Sequence, residues 1–429
     1  MISRYPREGR LSPVIVVGAD GPTGLAVVRD LGVHGVPVIA LGGSNRALGL
    51  NSRFCWVPRV RAGTGRALVD QIVALREAYA AESLMAVLDS DIFQLNQHRE
   101  ELESALHVLF PDAEIMSRVL NKETTYQYAQ AAGLKVPTTV TPECWGDVEA
   151  IDKELKFPVV IKWSDRATIG PQLRARGQEL KKVQFATHRE DLLEKMKEFR
   201  EFGAFPMVQE YCRGPVLGQM VLAEEGRERL RFQHLQVHEF PCDGGNATIC
   251  RGLGLHEHGE CWEGTRALLK ELQWTGPALV EYRYDAQEGT YTLLEVNGRF
   301  WGSQPLAFRS GVHFAHGLLR LGTEAGRWDS VPVQTRTAIF LYPEIKGVVA
   351  VLRGRSGLAG EESWWFRARY LGEFLSRVTV PRTIFYVFWW RDPWPSVMDS
   401  VHSLTGGFRR AAKGGAEFLG RIIGRFRSA

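Results

Sequence analysis

The sequence predicts an α/β region followed by an α+β region, and three observations carry that expectation. Over roughly the first 110 residues, short apolar runs alternate with helical stretches, the pattern of a doubly wound parallel sheet. From about Asn121 the strands instead come in hairpin-joined pairs. One such pair carries glutamates at matching positions, with an asparagine and an arginine further along the same face.

The elements follow in order. Pro13 to Val17 is an apolar run ending in glycine, a buried strand with a tight turn. Thr23 to Leu31 is helical, Pro37 to Leu41 is a second strand, and Ala67 to Tyr79 is helical. Leu84 to Leu88 is a third strand, ending at Asp89 and Asp91. In the second region Lys122 to Ala132 is a helix stopped by Gly133. Pro158 to Lys162 and Met207 to Tyr211 are short strands, and His188 to Phe199 is a charged amphipathic helix between them. Gly218 to Ala223 and Leu230 to Val237 pair around Glu225-Gly226. After a helix at Glu263 to Leu272, Ala278 to Tyr284 and Tyr291 to Val296 pair around Glu288-Gly289. Beyond Arg327 aromatics and arginines dominate without a clear period. The expected divisions are residues 1–115, 116–325, 326–399 and a tail at 400–429.

Bulk properties exclude several classes. A chain of 429 residues with 45% hydrophobic and 24% charged residues suits a multi-domain globular protein. A formal net charge of +4 is too small to point to nucleic acid. Six cysteines without a CxxC pair fit reduced thiols in a cytoplasm. The first eleven residues carry three arginines and a glutamate and lack an apolar signal-peptide core, and no apolar run of spanning length occurs. The tail holds six basic residues (Arg409, Arg410, Lys413, Arg421, Arg425, Arg427) against Glu417 alone. Its apolar residues recur at helical spacing. Two readings stand: a helix packed on the protein or a frayed tail, against peripheral contact with an anionic membrane at the cytoplasmic inner face. The run Ile384 to Trp390, followed by Trp394, is either packed aromatics or an interfacial belt.

Gly18, Gly21 and Gly24 form GxxGxxG between a strand and a helix, the setting of a dinucleotide turn. The second strand ends Leu41-Gly42-Gly43-Ser44, without the carboxylate a nicotinamide ribose needs, so tight helix–strand packing is the favoured reading. His256-Glu257-His258 reads as a polar loop. His234 lines the nucleotide pocket or lies at the surface; the sequence leaves both open.

The chemistry concentrates in Leu294-Glu295-Val296-Asn297-Gly298-Arg299. Residues two apart on a strand share a face, so Glu295, Asn297 and Arg299 project together. Glu281 lies fourteen residues earlier, where hairpin pairing brings it beside Glu295. Two carboxylates and an amide oxygen make a hard oxygen site suited to Mg²⁺. Lys162 ends an apolar strand and Lys122 opens a helix, each placed to meet a phosphate as a point charge.

With this order of motifs the chain resembles the ATP-grasp superfamily, in particular its carbamoyl-phosphate-synthase-like carboxylate–amine ligases, over roughly residues 12 to 325. The resemblance implies an ATP-grasp fold behind an N-terminal Rossmann-like pre-ATP-grasp domain. It implies that Lys122 and Lys162 bind ATP phosphates, and that Gln209, Glu210, Tyr211 and Cys212 form the adenine hinge. Glu281, Glu295 and Asn297 would ligate Mg²⁺ (or Mn²⁺), and Arg299 would stabilise the transferring phosphoryl group. His238 to Pro241 with Gly244, Gly245 and Asn246 looks like the substrate-side loop, with Glu239 among its binding residues. The implied reaction joins a carboxylate to an amine, or to a thiol, through an acyl phosphate, with ATP yielding ADP and phosphate. The expected partners are small carboxylate and amine substrates and no nucleic acid; a homodimer is left open. The sequence departs from the family in three places. Gly298 stands where many relatives have proline. Ser164 to Lys182, with only Gly170 and Gly177, replaces a compact glycine-rich lid. Phe300-Trp301-Gly302-Ser303 lacks the glutamate base of bicarbonate-using members. The alternatives are a nicotinamide-dependent oxidoreductase and an ATP-binding relative without turnover.

Overall fold

The computed structural model describes residues 11–164, 166–178, 183–241, 244–321, 333–354, 363–380 and 382–401. The basic tail at 400–429, on which the helix, frayed-tail and membrane readings fall, lies outside the described residues apart from its first two positions. Among the described residues the chain forms three sheets.

The first sheet is parallel. Its strands β1 (Val14–Val17), β2 (Val38–Gly42), β3 (Cys55–Val60), β4 (Ser83–Ala86) and β5 (His107–Val108) lie in the order β3-β2-β1-β4-β5. β1, β2 and β4 are buried throughout, which is why they read as unbroken apolar runs. Helices α1 (Pro22–Val33), α2 (Arg66–Tyr79), α3 (Asp89–Asn96) and α4 (Arg99–Glu103) connect them. The glycine turn is a packing device. A Cβ on Gly24 would stand 2.4 Å from the Gly18 carbonyl oxygen, and Gly18 itself has φ +93°.

Two helices lead onward, α5 (Ala113–Leu120), capped by Asp112, and α6 (Lys122–Ala131), capped by Asn121. The second sheet is antiparallel: β6 (Thr139–Val140), β7 (Val159–Lys162), β8 (Gln184–Ala186) and β9 (Met207–Glu210), in the order β6-β9-β7-β8. It packs with α7 (Trp145–Ala150), α8 (Arg166–Ala175) and α9 (Arg189–Met196) around Val159, Ile161, Ile169, Leu173 and Leu192. Of the segment after Lys162, expected to be a loop, Arg166–Ala175 is therefore helical. Ile169 and Leu173 enter this core, and packing outweighs the helix-breaking Pro171 between them.

The third sheet comprises β10 (Val216–Glu224), β11 (Arg227–Phe240), β12 (Asn246–Gly252), β13 (Gly276–Asp285), β14 (Thr290–Asn297), β15 (Thr337–Ile339) and β16 (Ile384–Phe385). Their order is β14-β13-β10-β11-β12-β15-β16. Helices α10 (Gly259–Glu271), α11 (Gln304–Arg309), α12 (Phe314–Leu321), α13 (Leu341–Leu352) and α14 (Trp364–Val378) accompany it. The aromatic run at 384–390 begins as β16, with Tyr386 and Val387 buried and Trp390 83% exposed, so packed and surface aromatics divide it. No described helix is long and apolar enough to cross a membrane.

Candidate active site

The acidic hairpin sets the site. In the β13–β14 pairing Glu281 stands opposite Glu295, and Leu279 opposite Asn297. Directly paired residues share a face, so both carboxylates project together. Continuing across the sheet, Glu281 pairs with Gly218 on β10, and Gly218 pairs with His234 on β11. Glycine at 218 leaves room for the imidazole, because a Cβ there would lie 2.5 Å from the ring Cε1. His234 is thus fully buried on the sheet face that carries Glu281, and not at the surface. Burial pushes its pKa down to about 3.

Neighbouring groups compensate the acidic pair. Lys122 Nζ lies 2.8 Å from Glu295 Oε2. Asn121 holds the start of α6 through its side-chain oxygen, which accepts from the Glu123 and Thr124 amides and so fixes where Lys122 departs. Burial alone would lower the Lys122 pKa; the Glu295 carboxylate, supported by Tyr126 and Glu281, outweighs it and the value rises. Gln236 Nε2 donates to Glu281 Oε1 at 2.8 Å, and Asn297 Nδ2 to Glu295 Oε1 at 3.2 Å. Arg299 is aimed by three contacts: Nε to Asp89 Oδ2 at 2.7 Å, Nη1 to the Phe300 carbonyl at 2.9 Å, and Nη2 to Asn297 Oδ1 at 3.5 Å. Asp89 opens α3, so Arg299 joins the acidic strand to the carboxyl end of the parallel sheet. Thr23 Oγ1 makes a second junction there, donating to the Trp301 carbonyl at 3.2 Å.

The second sheet reaches the same place through Tyr126. Its hydroxyl donates to the Leu294 carbonyl at 3.0 Å and accepts from Gln209 Nε2 at 3.1 Å, with Lys162 Nζ at 3.5 Å. Gln209 also donates to Thr139 Oγ1 at 2.8 Å. Lys162 and Gln209 converge because Val160 pairs with Gln209 and shares a strand face with Lys162. Around the expected hinge, Cys212 Sγ lies 3.8 Å from Glu210 Oε1, and burial followed by the Glu210 charge raises its pKa to about 11. Tyr211 packs edge-on against Phe185.

Lys122, Lys162, Gln209, Glu281, Glu295, Asn297 and Arg299 are therefore linked through one set of contacts. Glu239, Gly244, Gly245 and Asn246 form a separate group at the β11–β12 hairpin. There the Gly244 amide donates to Glu239 Oε1 at 3.2 Å, and Gly245 packs on the Phe240 carbonyl. Phe240 is six residues beyond His234, about 20 Å along an extended strand. His256-Glu257-His258 is a turn in which Glu257 accepts from the Gly254 amide and His258 meets the Tyr291 hydroxyl. Sequence reasoning missed Tyr126, Gln236 and the role of Asp89. Tyr126 had a signal, being four residues after Lys122 on a helix and so on the same face. The other two come together only through long-range pairing.

No protein-family model matches the sequence, and no curated protein matches it. Solved structures do. The N5-carboxyaminoimidazole synthetase of Staphylococcus aureus, solved with ADP, aligns with a TM-score of 0.60 at 12% identity, over 78% of this chain and 83% of that one. The biotin carboxylase domain of the Hydrogenobacter thermophilus 2-oxoglutarate carboxylase, solved with MgADP, ADP and bicarbonate, aligns at 0.57 and 14% identity, over 75% and 72%. The L-amino acid ligase of Bacillus licheniformis aligns at 0.53 and 15% identity, over 73% and 74%. The chain has the ATP-grasp fold. In ATP-grasp terms, Lys162 and Gln209 belong to the smaller antiparallel sheet, and the acidic pair to the larger one. Residues 211–215 connect the two.

Proposed function

We propose that the chain is an ATP-dependent carboxylate–amine ligase that works through an acyl phosphate. The observation that carries this reading is the paired Glu281 and Glu295, with Lys122 at 2.8 Å from Glu295, Asn297 at the end of the same strand and Arg299 two residues beyond it. Two adjacent carboxylates are costly without a cation. Here an ammonium stands against one of them, and the donor set of two carboxylates and an amide oxygen fits a hard divalent ion. Glu281, Glu295 and Asn297 would hold Mg²⁺, which when bound neutralises phosphate charge. The solved relatives containing ADP or MgADP support nucleotide and Mg²⁺ use. The N-terminal parallel sheet is read as the Rossmann-like pre-ATP-grasp domain, with the divisions given by the sequence.

In this reading Lys122 and Lys162 meet the ATP phosphates, and Arg299 faces the transferring group. The main chain of Glu210 and Cys212 borders the adenine. An oxygen of the substrate carboxylate attacks the γ-phosphorus, the bond to the β-phosphate oxygen breaks, and ADP leaves. The amine nitrogen then attacks the acyl carbon, phosphate departs, and the amine gives up a proton to solvent. A thiol acceptor would follow the same course. No protein nucleophile is required. Glu295→Gln tests the reading by phosphate release with a panel of carboxylates and amino acids. The folded variant is expected to lose turnover, and a wild-type rate with unchanged magnesium dependence would overturn the assignment.

A further inference from the structure

A second concave site lies at the other end of α1 from the glycine turn, about 16 Å along the helix from Thr23. It is a cavity of about 420 Å³ whose lining includes Arg309, Arg336, Arg391, Gln334, His34 and Trp389. The nearby buried carboxylates are already engaged. Asp392 accepts from Arg29 Nε at 2.9 Å, Ser52 Oγ at 2.6 Å and the Arg53 amide at 2.9 Å. Asp30 accepts from His313 Nδ1 and the Ala315 amide, each at 2.8 Å. Among the described residues the cavity arginines have no such partner. Among the described residues Arg309 meets the Trp389 ring at 5.3 Å and no carboxylate. Arg336 lends Nε and Nη2 to Gln334 Oε1, and Arg391 lies 6.0 Å from the Trp389 ring. Burial first, then the charges of Arg336 and Arg29, push the Arg309 guanidinium down to about 10.

Arg309 and Arg336 are half-buried and Arg391 is exposed, and like charges gathered at one cavity repel unless an anion joins them. Among the described residues the three guanidinium groups keep most of their planar donors unspent, the geometry that takes a phosphoryl group bidentately. The Trp389 ring holds Arg309 and Arg391 within 6.0 Å of its centroid, and Gln334 holds Arg336, so the three cations are positioned before a ligand arrives. The volume is that of a small-molecule site. We propose that this arginine-lined cavity binds a phosphoryl monoester or diphosphate group, at a site separate from the ATP cleft. A dianion with three oxygens answers three guanidinium groups better than a lone carboxylate does. Its source is a soluble metabolite or a lipid headgroup; the second has a foothold in Trp390 and Trp394, exposed next to Arg391 in the chain.

The test uses the full chain at low salt without magnesium. One arm titrates inorganic pyrophosphate calorimetrically. The other sediments the protein with phosphatidylcholine vesicles with and without phosphatidic acid. Saturable binding of at least one probe is expected. It should survive Lys162→Met and weaken about tenfold or more in Arg309→Gln and in Arg336→Gln. Whichever probe binds identifies the source. Arg391 is exposed, so Arg391→Gln keeps the test informative if Arg309→Gln lowers the melting midpoint. No saturable binding of either probe overturns the proposal. So does equal affinity in the arginine variants, or a loss in Lys162→Met alone.

Discussion

Replacing Lys122 by methionine removes the ammonium that faces Glu295 and leaves two glutamates paired across β13 and β14. At 2.8 Å the attraction is about 6 kcal/mol at an effective dielectric of about 20, before desolvation is subtracted. Removing one partner of a buried pair costs about 3–5 kcal/mol. These side chains are 17% and 29% exposed, so about 2–3 kcal/mol is expected. The Lys122 pKa is raised above 10.5, so its contribution is full below that value and is lost only as pH rises through the folded-state pKa. The stability gap should therefore be flat through neutral pH. In the variant the acidic pair is open to a divalent ion, so Mg²⁺ should recover more stability there than in wild type. At a concentration a hundred times Kd it recovers about 2.7 kcal/mol. Urea midpoints with and without MgCl₂ read both quantities. A variant within about 0.5 kcal/mol of wild type without metal, or an equal magnesium effect on both proteins, would refute the reasoning.

Three further outcomes are expected. Lys162→Met should weaken ATP binding about tenfold or more by calorimetry, because a phosphate charge loses its ammonium; unchanged affinity in a folded variant removes Lys162 from the site. Cys212, with its pKa near 11, should resist iodoacetamide at pH 8 while exposed Cys144 reacts. The Cys212 rate should climb about tenfold per pH unit towards 11, and equal labelling of both at pH 8 would contradict the burial argument. Gly218→Ala puts a Cβ 2.5 Å from His234 Cε1 and 3.0 Å from Leu279 Cδ1, so about 1–3 kcal/mol of stability should be lost; an unchanged melting midpoint would show that the ring has room to turn.

The acidic hairpin was legible to within one residue. A period of two puts Glu295 and Asn297 on one face, and the Glu288-Gly289 turn pairs the strands so that Glu281 would face Leu294; a bulge between Glu281 and Tyr282, which no local pattern announces, moves it opposite Glu295. Lys122 was legible from its place beside a capping asparagine. The parallel strands were legible because burial on both faces leaves unbroken apolar runs. Other parts depend on contacts that local pattern does not encode. β15 and β16 extend the large sheet with three and two residues, too short to show a period. His238, on a strand, has ring nitrogens 2.7 Å from Glu344 and 3.1 Å from Glu373, which belong to α13 and α14 more than a hundred residues later. Gly170 and Pro171 signal a loop locally, and the core around Ile169 and Leu173 overrides them.

The two ion pairs at the site differ in how readily a nucleotide would release them. Asp89 and Arg299 are 42% and 25% exposed, and a pair so open to solvent is worth about 0–1 kcal/mol. Lys122 and Glu295 are more enclosed, and their separation leaves two glutamates paired across β13 and β14 without that cation. In the ligase reading Arg299 is therefore free to turn towards a transferring phosphoryl group at little cost, with its Nη1 still donating to the Phe300 carbonyl as an anchor. Lys122 leaves Glu295 only when another cation takes its place. Nucleotide phosphates arriving without a divalent ion would meet an ammonium still committed to a carboxylate. In the ligase reading this arrangement would couple phosphate binding by Lys122 to metal binding by Glu295, because each would release the partner that the other needs.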